Sequence, residues 1–201
     1  MARFELNKGD RFTLKKSEGL TNLTVSLGWK GGADLDACAF LLGEDGTILD
    51  DADFVFYNSN NREEEFSRDK FGNKKVWRQQ TRPMSADGSV LGAIDERDGG
   101  SAERVSVNLS KVAPEVCEIV FCASVFDEGI SFGDVESPYI SIVNDDNGEE
   151  LCRYTLNEQF SGETALVAGS LSANEDGDWE FKAEGRGILG GLQALVELYA
   201  E

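Results

Sequence analysis

The chain has 201 residues, of which 19 are Lys or Arg, 38 are Asp or Glu and none is His, giving a formal net charge of −19. Such a charge disfavours phosphate backbones and anionic membrane surfaces and favours cations; the missing imidazole excludes Ser/His/Asp triads, Cys/His dyads, imidazole bases and His-ligated metals. With 40% hydrophobic residues and 12 Phe there is core material for one domain over residues 1–201. The start MARFELNKGDRF has no signal-peptide h-region and no run of 18 apolar residues occurs, so a cytoplasmic location without membrane insertion or a nucleic-acid partner is expected.

The dominant period is two. From Leu23 to Trp29 the apolar residues hold the odd positions, which predicts a half-buried strand. Alternation or short apolar runs recur at 36–43, 53–57, 104–109, 117–126, 138–144, 150–155, 164–171 and 178–184. Turn signals lie between them, among them Glu44-Asp45-Gly46, Asp87-Gly88, Asp146-Asn147-Gly148 and Asp176-Gly177. Many short strands joined by such turns predict an all-β fold, an antiparallel β-sandwich, with short peripheral helices. One helix is expected at 110–116, capped by Ser110 and limited by Pro114. The other is a C-terminal helix within 188–199, where Leu189, Leu192, Leu195, Val196 and Tyr199 recur at helical spacing.

Residues 59–84 break the pattern with mixed charge and scattered aromatics, and read as an atypical insertion. It is either a solvated loop or extra hairpin around Lys74-Lys75-Val76-Trp77-Arg78, or a partner-binding surface using Lys74, Lys75, Trp77 and Arg78. The cysteines at 38, 117, 122 and 152 contain no CxxC pair and read as reduced core or half-core residues. Cys117 and Cys122, five apart in a predicted strand, would face opposite sides, which argues against a thiolate metal site.

Carboxylates collect in two places. Asp34 and Asp36, two apart in extended chain, face the same way, and Asp50, Asp51 and Asp53 follow before the next strand. Repulsion between such groups is relieved by a hard cation, and Ca²⁺ accepts six to eight oxygens. The second cluster is Asp95, Asp98 and Glu103 in a loop containing Gly99-Gly100, without EF-hand spacing. The plain alternative for both is solvated turn residues. No acid is singled out for glycosidase-type catalysis, and Gly185-Arg186-Gly187 and Gly190-Gly191 lack the Lys-Ser/Thr of a phosphate loop.

Ordered segments along nearly the whole chain resemble the TerD family, the tellurite-resistance and general stress proteins of bacteria. They include Leu6-Asn7-Lys8-Gly9, Gly19-Leu20-Thr21-Asn22-Leu23-Thr24-Val25, Asp34-Leu35-Asp36-Ala37-Cys38-Ala39-Phe40 and Asp51-Ala52-Asp53-Phe54-Val55-Phe56-Tyr57-Asn58. Phe160-Ser161-Gly162-Glu163-Thr164-Ala165, Trp179-Glu180-Phe181 and Gly190-Gly191-Leu192 continue the match. The resemblance implies a β-sandwich that binds Ca²⁺ as cofactor through acidic residues, acts by binding rather than as an enzyme, and serves in stress and tellurite resistance, with other stress-response proteins as partners. On that basis Asp34, Asp36 and Asp53 would supply charge, Asn58 a neutral oxygen, and Asp95, Asp98 and Glu103 the facing loop. Three departures stand out: Ser101 and Ala102 occupy positions where the family's longer acidic loop has Asp, Lys30 follows Gly28-Trp29 where Asp is usual, and members generally lack the insertion. Two alternatives stay open: a metal-independent interaction module using the acidic face and the insertion, and a small-ligand (nucleotide) binder.

Overall fold

The computed structural model describes residues 4–63, 67–68, 74–75, 81–93, 102–156 and 159–200. Its strands are β1 (Phe4–Leu6), β2 (Arg11–Leu14), β3 (Asn22–Lys30), β4 (Leu35–Leu42), β5 (Phe54–Val55), β6 (Ser67–Arg68), β7 (Lys74–Lys75), β8 (Val90–Leu91), β9 (Ala102–Asn108), β10 (Glu118–Val125), β11 (Glu136–Asn144), β12 (Glu149–Thr155), β13 (Ala165–Ala173) and β14 (Trp179–Ile188), followed by helix α1 (Gly191–Tyr199). One sheet runs β1-β12-β11-β3-β9-β8 and the other β2-β14-β13-β10-β4-β5. Every pairing is antiparallel except β1 with β12. The expected all-β architecture with a C-terminal helix is therefore what the chain adopts, and no described helix is long and apolar enough to cross a membrane.

The period-two reading of β3 holds: Leu23, Val25, Leu27 and Trp29 point into the space between the sheets. They meet Leu35, Ala37, Ala39 and Leu41 of β4 and Ile119 and Phe121 of β10. β4, like β10 and β13, is buried on both faces, because Cys38, Phe40 and Leu42 on its second face join Val120, Cys122, Ala165 and Val167 in a second cluster with Leu195 and Tyr199 of α1. This second layer is why 36–43 reads as a nearly continuous apolar run rather than a clean alternation. Burying one such aliphatic side chain stabilises the fold by about 1.5–3 kcal/mol.

Two local expectations are corrected. Residues 110–116 form turns rather than a helix, since Asn108 Oδ1 takes the Ser110 amide at 3.1 Å and Asp87 Oδ2 takes the Ala113 amide at 2.9 Å. Side-chain acceptors compete there with the helical ladder, and Pro114 brings no N–H to it. Cys117 is exposed just before β10, whereas Cys38, Cys122 and Cys152 are buried. Within the insertion, Ser67 and Arg68 pair with Lys75 and Lys74, a short hairpin ladder. Trp77 and Arg78 lie outside the described residues, as do the side chains of Lys74 and Lys75.

Candidate metal centre

β3 and β4 belong to different sheets, so the chain between them is an arch over one end of the sandwich. Gly31 turns it with a φ of 100°, a conformation in which a Cβ is strained, and the Trp29 indole N–H closes it by donating to the Ala33 carbonyl at 2.9 Å. Asp34 and Asp36 are delivered at the foot of this arch, both half-buried. The same end collects the start of β9, where Glu103 lies opposite Leu27, and the end of β10, where Val125 lies opposite Leu35.

Glu103 reaches across from one sheet to the other, and its Oε2 accepts from the Ala37 amide of β4 at 2.5 Å. β5 is only two residues long and pairs with Ala39 and Phe40, so the edge of β4 beyond it is left for this carboxylate to cap. Asp34 is anchored through its backbone: its N–H donates to Asp127 Oδ2 at 3.0 Å and its carbonyl accepts from Phe126 at 2.9 Å. Asp127 is a neighbour that the sequence reading missed; its signal was an acidic pair, Asp127-Glu128, directly after an apolar strand.

Asp34 and Glu103 line one cavity of about 270 Å³, together with Trp29, Ala93, Ala102 and Arg82. Asp36 does not line it: by alternation it shares the face of Cys38, close enough for Asp36 and Glu103 both to act electrostatically on that thiol. Contact with Cys122 and burial, with those two carboxylates adding, hold the Cys38 thiol protonated. Ala93 and Ala102 flank the loop carrying Asp95 and Asp98, which themselves lie outside the described residues. Arg82, from the predicted insertion, forms the opposite wall; it donates to the Gly92 and Leu91 carbonyls at 2.8 Å each and to Ser106 Oγ at 3.0 Å.

The other predicted ligands part company here. β5 runs antiparallel to β4, with Phe54 opposite Phe40 and Val55 opposite Ala39, so Asp53 lies toward the end away from Asp36, and Asn58 follows in a turn that the Ser59 amide closes on the Phe56 carbonyl. Asp53 is 4% exposed and accepts from the Ala86 amide at 3.3 Å. Burial, reinforced by Asp87 and Asp50, pushes its carboxyl above the ordinary range. Lys30 ends β3 exposed, opposite Glu136 in the register, and is not among the residues lining the cavity.

The donor set tests the fit of a hard cation. Two carboxylates on one cavity are donors of the kind Ca²⁺ takes, but Arg82 and Arg104 line the same cavity, and among the described residues no three of His, Cys, Asp and Glu converge as a ready-made cage.

A TerD domain matches residues 1–199, and the chain belongs to the TerD family. It is 35% identical to the tellurium resistance protein TerD of Serratia marcescens, with 96% of this chain and 95% of that protein aligned. General stress protein 16U of Bacillus subtilis is also 35% identical, over 96% of this chain and 95% of its own length. Among solved structures, a homologue of telluride resistance protein from Streptomyces coelicolor superposes with a TM-score of 0.60 at 19% identity, covering 90% of this chain and 96% of that one, and so shares the fold.

Proposed function

We propose that this chain is a cytoplasmic Ca²⁺-binding protein of the tellurite-resistance and stress response, acting by binding rather than by catalysis. The observation that supports it best is the convergence of Asp34 and Glu103, brought from different sheets, on one cavity with Asp36 alongside. Asp34 and Glu103 would hold the ion, with Asp36 next to them adding negative charge and Asp95 and Asp98 following Ala93 in the sequence. Asp53 is left out because it sits at the opposite end of β4. A bound cation would neutralise carboxylates that otherwise repel and would tie the arch to β9, so folding and binding would be linked by mass action. The names of the relatives support the stress and tellurium context.

The test is isothermal titration of chelator-stripped protein with Ca²⁺, alone and against Mg²⁺, repeated on Asp34→Ala plus Asp36→Ala. Heat that vanishes in the double variant supports the reading. Absence of both heat and thermal shift at millimolar Ca²⁺ would transfer weight to a metal-independent interaction module that engages other stress-response proteins through the acidic face and the 59–84 insertion.

A further inference from the structure

We propose that Arg82, Arg104, Thr24 and Ser106 form an oxyanion site for a phosphate group, on the outer-face side of the cavity that Asp34 and Glu103 also line. Along β3, Leu23, Val25 and Leu27 enter the core, so Thr24 and Ser26 project from the outer face of the sheet. Along β9, Val105 and Val107 enter the core, so Arg104 and Ser106 project outward as well. The register sets Thr24 opposite Ser106 and Ser26 opposite Arg104, which places a guanidinium and hydroxyls side by side on one face. Arg82 joins them from beyond the sheet edge. Among the described residues β8 pairs only with Val107 and Ser106 of β9, and Arg82 takes up the edge that follows. It donates to the Leu91 and Gly92 carbonyls at 2.8 Å each, to Ser106 Oγ at 3.0 Å and to the Arg104 carbonyl at 3.4 Å.

Those four bonds all go to uncharged acceptors, so they fix the plane of the Arg82 guanidinium without neutralising it. Among the described residues neither Arg82 nor Arg104 makes an ion pair, although 38 acids face 19 Lys and Arg in this chain. Arg11 and Arg153 show the ordinary outcome: each has a glutamate, Glu180 or Glu150, at 2.6 Å. Burial lowers the pKa of Arg82, and Glu63 and Asp145 oppose that shift only from beyond ion-pair distance. Two cations without close counter-charges on one cavity raise the local potential for anions.

The hydroxyls complete the donor set. Ser106 Oγ already accepts from Arg82, so its own O–H is left to donate, and Thr24 brings a second O–H to the same cavity. Guanidinium forks with hydroxyl donors are what phosphate oxygens take. The volume of about 270 Å³ falls just under the roughly 300–1,000 Å³ of pockets for larger molecules, and suits a small ion with its waters. Asp34 and Glu103 border the same cavity and oppose an anion, so neutralising either strengthens the site. The inference stands apart from the cation reading, since none of the four donors needs a bound metal.

The experiment titrates the chelator-stripped full chain with inorganic phosphate at low salt, followed by calorimetry and by the phosphorus NMR linewidth. The parent should bind at one saturable site. Arg104 is exposed, so Arg104→Gln should melt like the parent while its phosphate affinity falls about tenfold or more. Ser106→Ala should weaken binding several-fold. Arg153→Gln, which removes an outer-face arginine already held by Glu150, should leave it unchanged. Asp34→Asn should tighten phosphate binding whether or not the chain takes Ca²⁺, so the two readings fail separately. Methyl phosphate binding as tightly as inorganic phosphate would identify an esterified phosphate as the ligand, and weaker binding the free ion; both support the site. No saturable binding at millimolar phosphate, equal losses in Arg104→Gln and Arg153→Gln, or binding that needs Asp34 would overturn it.

Discussion

The two acidic ends of this sandwich handle the same electrostatic problem in different ways. At the end where Asp53 and Asp87 lie, the Asp87 carboxylate takes the Ser85 hydroxyl at 2.7 Å, the Ser89 amide at 2.8 Å and the Ala113 amide at 2.9 Å. Burial pushes its pKa up, but the hydrogen bonds from Ser89, Ser85 and Ala113 outweigh that and leave it below the ordinary value. At the arch end, Asp34 and Glu103 instead open on a cavity of about 270 Å³. Asp87 gives its oxygens to three donors from nearby turns, whereas Glu103 gives one oxygen to the Ala37 amide across the sandwich and also borders the cavity. Acidity in sequence does not separate the two, and the donors around each oxygen do.

The comparison is tested most severely by removing carboxylates. Asp87→Ala leaves two amides and a hydroxyl without their acceptor and should cost about 3 kcal/mol in urea unfolding; a loss below about 1 kcal/mol would place Asp87 with the cavity-facing acids. Next in size, saturating Ca²⁺ should raise the Tm of the parent by about 5–10 °C. Asp87→Ala should keep that increment while Asp34→Ala plus Asp36→Ala loses it, and an increment that survives in the double variant would move the ion elsewhere. Glu103→Ala strands the Ala37 amide and should cost about 1–2 kcal/mol. Glu103→Gln keeps an acceptor there, so its stability without Ca²⁺ should match the parent while its titration with Ca²⁺ weakens.

The smallest effect concerns Asp53. Its folded pKa is raised, first by burial, so its favourable contribution is full below the ordinary carboxylate value of 3.8 and is lost as pH rises through the folded pKa. Asp53→Asn should therefore melt slightly higher than the parent at pH 7, and scans in steps down to pH 3.8 should show the gap closing. Asp87 has the opposite sign: its contribution is present above 3.8 and lost as pH falls through its lowered pKa.

Much of the architecture could be read from local pattern. The odd-position apolar residues of β3, the Asp-Gly turns and the helical spacing of Leu192, Leu195 and Tyr199 are consequences of side-chain period, which depends on near neighbours alone. The family segments carried the fold and the stress and tellurium context further than period could. Four things escaped. Strands as short as β1 and β8 carry too few residues to show a period, and the 110–116 segment lost its helix to acceptors on Asn108 and on the distant Asp87. The grouping of acids escaped too: Asp53 is nearer to Asp36 in sequence than Glu103 is, yet the β4–β5 register carries Asp53 away while the β3–β9 register brings Glu103 to Ala37. So did the facing of Cys38 and Cys122, which no CxxC spacing announces. Composition and period are sums over local choices and are written along the chain. Which carboxylates share a cavity and which thiols share a rung depend on strand order and register, and these are set by packing two sheets against each other and α1 against one of them.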